Sequence, residues 1–222
     1  MSGTLAFDVY GTLIDTHGIV SILAKMVGAT AERLSHTWRE KQFEYTFRRG
    51  LMQHYENVAV CTSHAIEYTC IYHKASLSNE QKQKLIGGYR TLPAFNDVEE
   101  GLATLKAANF RLFAFSNGSA DAVNALLVAA GIGDYFVGIV SVDDLQSFKP
   151  NPAVYIHFLR ESEASRSDAW LISSNPFDVI GAISAGMRAA WVQRSKDSIY
   201  DPWGIESTIT VGNLAELYDQ IG

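Results

Sequence analysis

Short apolar runs alternate with longer amphipathic stretches through most of this chain. From about residue 97 the runs 111–115, 136–140, 169–172 and 189–192 are each bounded by Ser, Asn, Gly or Lys. Between and after them, 98–108, 120–130, 153–162 and 177–187 repeat apolar residues at helical spacing. Strands alternating with helices predict βαβ units and a parallel sheet covered on both faces. Gly131 and Gly186 follow helical patterns and are expected as C-terminal stops. A weaker strand (207–211) and helix (214–221) close the chain.

The first strand is expected at the N-terminus, where Thr4-Leu-Ala-Phe runs directly into Asp8. Between residues 15 and 95 the texture changes. The stretches 20–26, 31–51, 58–73 and 80–89 read as helices, with no alternating strand pattern among them. The architecture expected is an α/β core, a doubly wound, Rossmann-like parallel sheet, formed by 1–14 and 96–222. A helical cap, 15–95, is inserted after the first strand.

At 222 residues with 47% hydrophobic and 19% charged side chains, a packed core is expected. A net charge of −6 argues against nucleic acid and against an anionic membrane surface as partners. No uncharged apolar run approaches the roughly 20 residues of a membrane span, and no signal peptide is visible, so the cytoplasm is the expected compartment. Cys61 and Cys70 fall nine residues apart in one predicted helix and are expected as reduced thiols.

In open α/β sheets ligands bind beyond the carboxyl ends of the strands. The unusual polar residues cluster there. Asp8 follows the first strand, where an unpaired buried carboxylate would cost several kcal/mol. Ser116-Asn-Gly follows 111–115, Ser173-Ser-Asn follows 169–172, and Lys149 sits in Ser147-Phe-Lys-Pro soon after 136–140. Each has a plainer reading when taken alone. Asp8 would end a turn, Lys149 would be a solvated lysine, and Ser173, Ser174 and Asn175 would cap the next helix. Asp178 would be a first-turn acid favoured by the helix dipole. Arg39 lies in a run with Glu40, Lys41 and Glu44, where a solvated face is the default. The six histidines show no ligand spacing.

The ordered set Asp8, Ser116, Lys149 and Asp178 resembles the haloacid dehalogenase superfamily. Most of its members are magnesium-dependent phosphatases with a second Asp two residues after the nucleophile and metal-binding carboxylates in the last loop. Tyr10 and Ser174 hold those positions here. A phenol with a pKa near 10 is a poor proton donor, and a neutral hydroxyl depletes the hard oxygen cage that Mg²⁺ needs. Asp8-Val-Tyr-Gly-Thr12, Trp38-Arg-Glu-Lys-Gln, Ser116-Asn-Gly118, Lys149-Pro150 and Ser173-Ser-Asn-Pro-Phe-Asp178 resemble instead the L-2-haloacid dehalogenase branch.

That resemblance implies hydrolytic dehalogenation of short 2-haloalkanoic acids, L-2-haloacids or haloacetates. The reaction runs through an aspartyl ester, with inversion at C2. Asp8 would be the nucleophile and Lys149 would balance its charge. Asp178, with Asn175 three residues before it, would orient or activate the hydrolytic water. Arg39 and Asn117 would receive the halide. Thr12, Ser116, Ser173 and Tyr155 would hold the nucleophile or the substrate carboxylate, and Tyr10 and Phe177 would line the site. No metal or other cofactor is called for, and a homodimer through cap helices is implied. Against the branch pattern, Glu40 stands where an amide is usual, and Val58 and Phe177 where bulkier aromatic packing is expected. The rival readings are a Mg²⁺-dependent phosphatase of the same superfamily and a non-catalytic relative that binds an anion or a protein partner.

Overall fold

The computed structural model describes residues 3–222. Strand β1 (Thr4–Phe7) is followed by four helices: α1 (Gly18–Val27), α2 (Ala31–Met52), α3 (Val58–His73) and α4 (Asn79–Gly88). The alternating part then runs α5 (Val98–Ala107), β2 (Arg111–Ser116), α6 (Ala120–Ala129), β3 (Gly138–Ser141), α7 (Pro152–Glu161), β4 (Ala169–Ser173), α8 (Pro176–Ser184) and β5 (Arg188–Val192). It ends with β6 (Ile209–Val211) and α9 (Leu217–Ile221). The six strands form one parallel sheet in the order β3-β2-β1-β4-β5-β6.

Both faces of the sheet are covered, as a parallel sheet requires. Leu5 and Phe7 of β1 pack on one side with Leu112, Trp170 and Ile172. Ala6 packs on the other with Phe113, Phe115 and Leu171. All four residues of β1 are buried, which explains its unbroken apolar pattern. Helix starts follow local chemistry. Asn57 accepts from the Val60 N–H at the start of α3, Ser78 and Gln81 form a capping box at α4, and Asn151 caps α7 with Pro152 in its first turn.

The predicted strand 136–140 lies two residues too early at its start. A tight turn over Gly133–Tyr135 occupies the chain before it, and the Val137 N–H already bonds to the Leu112 carbonyl, so regular pairing begins at Gly138. The predicted helix 177–187 ends at Ser184, because Gly186 turns left-handed (φ +88°) and the Met187 N–H bonds back to Ala182. The predicted helix 214–221 opens as a tighter 3₁₀ turn over Leu214–Glu216. Residues 15–95 contain no strand, only an isolated bridge from Ile14 to Ala94. No helix among the described residues is long and apolar enough to cross a membrane.

Candidate active site

The strand order reverses at β1, which lies between β2 and β4. Ligands bind at such a switch point, beyond the carboxyl ends of the strands. Asp8 sits there, its N–H still in the ladder with the Ile172 carbonyl (2.9 Å). Thr12 Oγ1 donates to Asp8 Oδ2 (2.9 Å), and so does Asn175 Nδ2 (2.7 Å). Lys149 Nζ donates to Asp8 Oδ1 (3.3 Å), to the Phe115 carbonyl (2.9 Å) and to Asp178 Oδ2 (2.8 Å). Only 1% of Lys149 is exposed. Its three protons thus meet three acceptors, two of them carboxylates, which is what a buried ammonium requires.

Asp178 is fully buried. Its second oxygen accepts from Tyr155 Oη (2.8 Å). Burial raises the Asp178 carboxyl above its ordinary pKa, partly offset by Lys149. The Tyr155 hydroxyl is pushed well above the usual tyrosine value, first by burial and then by Asp178. Gly181 on α8 makes this pairing possible, since a Cβ there would meet the Tyr155 hydroxyl.

Arg39, from α2, is a half-buried cation on the cap side of the site. Its Nη2 donates to the Tyr10 carbonyl (3.2 Å), and its guanidinium lies 4.6 Å from the Phe43 ring centroid. It has no carboxylate partner among the described residues. Burial lowers its pKa, with Tyr89 and Asp8 acting in the opposite sense. Gly11 (φ +86°) gives it room, because a side chain there would stand 3.1 Å from Nη2.

A cavity of about 230 Å³ opens above these groups. Asp8, Tyr10, Arg39, Ser116, Asn117, Lys149, Asn175 and Phe177 all line it. Burial pushes the Tyr10 hydroxyl up to about 12, a still poorer proton donor than free phenol. Asn117 Oδ1 accepts from the Lys149 N–H (3.0 Å), which ties the β2 loop to the lysine. Ser116 Oγ accepts from the Gly118 N–H (3.1 Å).

Three expected placements differ. Tyr155 does not reach Asp8 or the cavity; its hydroxyl faces Asp178 because α7 packs on α8 rather than over the strand ends. Ser173 is fully buried, and its Oγ accepts from the Asn175 N–H (3.1 Å), so it shapes the loop instead of touching the nucleophile. Asp178 is likewise outside the cavity lining, with both oxygens already bonded. Asn175 occupies the N-cap position of α8, yet its side chain makes no cap and turns to Asp8. Glu40, the departure beside Arg39, points to solvent and pairs with His36 (3.2 Å).

Gln42, which the sequence marked only as the end of the Trp38-Arg-Glu-Lys-Gln motif, also lines the cavity, as do Phe43 and Thr46, which no motif marked. They lie three, four and seven positions after Arg39, one face of one helix, so placing Arg39 inward places them too. Among the described residues no three His, Cys, Asp or Glu side chains gather as a metal site.

The model of the haloacid dehalogenase-like hydrolases matches residues 3–186. The chain belongs to this hydrolase family. Within it, the chain is 32% identical to an (S)-2-haloacid dehalogenase from Pseudomonas putida, over 96% of this chain and 93% of that one. It is 33% identical to haloacetate dehalogenase H-2 of Moraxella sp. (strain B), over 86% and 85% of the two chains. A solved L-2-haloacid dehalogenase from Xanthobacter autotrophicus, with chloropropionic acid covalently bound, superposes with a TM-score of 0.93 at 26% identity, over 100% of this chain and 98% of that one. Both the family and the branch expected from the sequence are borne out.

Proposed function

We propose that this protein hydrolyses the carbon–halogen bond of short 2-haloalkanoic acids, L-2-haloacids or haloacetates. One observation carries the reading: a carboxylate held by Thr12, Asn175 and Lys149 faces a cavity that also presents a half-buried arginine, Arg39, with no carboxylate partner among the described residues. A nucleophile and an anion receiver share one enclosed space.

The substrate carboxylate binds at Ser116, the last residue of β2. An Asp8 oxygen attacks C2 from the side opposite the halogen. The C–O bond forms as the carbon–halogen bond breaks, and the electron pair leaves with the halide toward Arg39 and the Asn117 amide. C2 inverts and Asp8 becomes a neutral ester. A halide leaves as a stable anion without protonation, so the step asks for neither an acid at Tyr10 nor a metal.

Water then attacks the ester carbonyl carbon. Lys149 stabilises the oxyanion that develops there, and Asp178 takes the proton from water after one of its oxygens turns from Lys149 or Tyr155 toward the ester. Burial of Asp178 supports this role, because it raises the affinity of that carboxylate for a proton. Collapse of the tetrahedral intermediate returns Asp8 as carboxylate and releases the 2-hydroxy acid, which recovers the proton. Tyr155 holds Asp178 and Ser173 holds the Asn175 loop; both act as positioning residues. Tyr10 and Phe177 wall the substrate in, and residues 15–95 act as a cap over the core of 1–14 and 96–222, shutting water out of the first step.

The working form is a cytoplasmic homodimer. Free, buried Cys61 and Cys70 support the compartment. Leu51, Met52, Ile71 and Tyr72, exposed on α2 and α3, support pairing through the cap. The direct test is halide release from separate L- and D-2-chloropropionate with EDTA present. Release from the L form alone, with D-lactate as product, is expected. Release only from the D form, or from neither, would overturn the assignment.

A further inference from the structure

The void above Asp8 is larger than the reacting atoms need. It measures about 230 Å³, in a measure where one water requires only about 10–15 Å³. Its polar lining comes from the strand ends of the core and carries Asp8. The opposite wall comes from the cap and α8; beside Arg39 it carries the polar Gln42, Thr46, Asn57 and Thr62, and it holds an apolar patch of Phe43, Val58, Ile86 and Phe177. Phe177 sits edge-on to Phe43 with centroids 5.2 Å apart, so the two rings pack together in this part of the wall.

A 2-halopropanoate commits its carboxylate to the core loops, its C2 to Asp8 and its halogen to Arg39. One methyl group is left for the apolar wall. Over the apolar patch, the remaining space would hold water against side chains that offer it no hydrogen bonds. That water would also keep Asp8 solvated, and a solvated carboxylate is a weaker nucleophile. An alkyl chain on C2 would displace it and bury its own surface at the same time.

We propose that the preferred substrates are 2-haloalkanoates with an alkyl chain on C2 longer than methyl, of roughly two to four carbons, seated against Val58, Ile86 and Phe177. This rests on the dehalogenase reading above and specifies its substrate. The apolar wall thereby becomes the specificity element.

The test is kcat/KM for halide release from 2-bromopropanoate, 2-bromobutanoate, 2-bromopentanoate and 2-bromohexanoate. Each added methylene is expected to raise kcat/KM about fourfold as far as pentanoate, the effect of removing one CH₂ from water. Val58→Phe should flatten the order, lowering the hexanoate-to-propanoate ratio by roughly tenfold or more. Ile86→Ala, which widens the same wall, should move the optimum to a longer chain. Turnover of 2-bromopropanoate with flat or falling values for longer acids would overturn this inference and leave the dehalogenase reading standing. No halide from any of the four acids would overturn both.

Discussion

The floor and the roof of the cavity are built on opposite principles. On the floor, the polar side chains around Asp8 are tied together: Thr12, Asn175 and Lys149 to Asp8, Lys149 and Tyr155 to Asp178, and Asn117 to the lysine backbone. The roof has the half-buried Arg39, scattered polar side chains such as Gln42 and Thr46, and an apolar patch around Val58, Ile86 and Phe177. A saturated network holds a nucleophile in one geometry, which suits a direct displacement. An apolar wall has no such demand and can change shape without disturbing the reaction. Chemistry therefore belongs to the strand ends and selectivity to the helices above them.

The strongest way to break this division is at the lysine. Lys149→Met leaves two buried carboxylates facing each other without their shared cation. Turnover should vanish, and stability should fall by roughly 3–5 kcal/mol, lowering Tm by on the order of 10 °C. A thermal melt with unchanged Tm would show that the floor is not the coupled unit described. On the roof, Arg39→Gln should lower kcat/KM by roughly 10²–10³-fold, the range seen when one stabilising donor to a developing anion is lost. Its Tm should stay close to that of the parent, because no carboxylate loses a partner. A large drop in Tm would make Arg39 part of the scaffold instead.

Tyr155→Phe sharpens the picture at the edge of the floor. It leaves one oxygen of a buried carboxylate without its donor, a cost of about 1–3 kcal/mol. Ester hydrolysis should slow more than ester formation, so the burst of halide in the first turnover should persist while steady turnover drops. Equal slowing of both phases would place Tyr155 outside the second step.

The smallest effect expected is at alkaline pH. Burial raises Tyr10 from 10 to about 12. The folded chain keeps a proton that the unfolded chain releases above pH 10, so this contribution to stability is complete below 10 and disappears as pH climbs to 12. Tyr10→Phe should make the loss of stability between those values less steep. An identical slope in urea melts would exclude Tyr10 as a contributor.

Much of this was legible in the chain. Apolar runs ending in Asp8, Ser116 and Ser173 mark the strand ends, because only a sheet buried on both faces tolerates such runs. Lys149 was legible only through its place in an ordered set, since a lysine before a proline carries no mark of burial. The roles of Tyr155 and Ser173 were not legible. Helical spacing shows that Tyr155 faces inward, but its neighbour on α8, and the need for Gly181 opposite it, come from how two helices cross. Glu40 illustrates the reverse. It adjoins the cavity-lining Arg39 in sequence, yet one step along a helix turns its side chain by about 100° and carries it to solvent.

The covalent role of Asp8 is best tested by turnover of L-2-chloropropionate in ¹⁸O-labelled water, followed by mass measurement of the peptide that carries Asp8. If the floor works as described, the first turnover gives unlabelled lactate and puts the heavy oxygen into the Asp8 carboxylate. Label in the lactate hydroxyl from the first turnover, with Asp8 unlabelled, would mean that water attacks the substrate directly and that Asp8 is not the nucleophile.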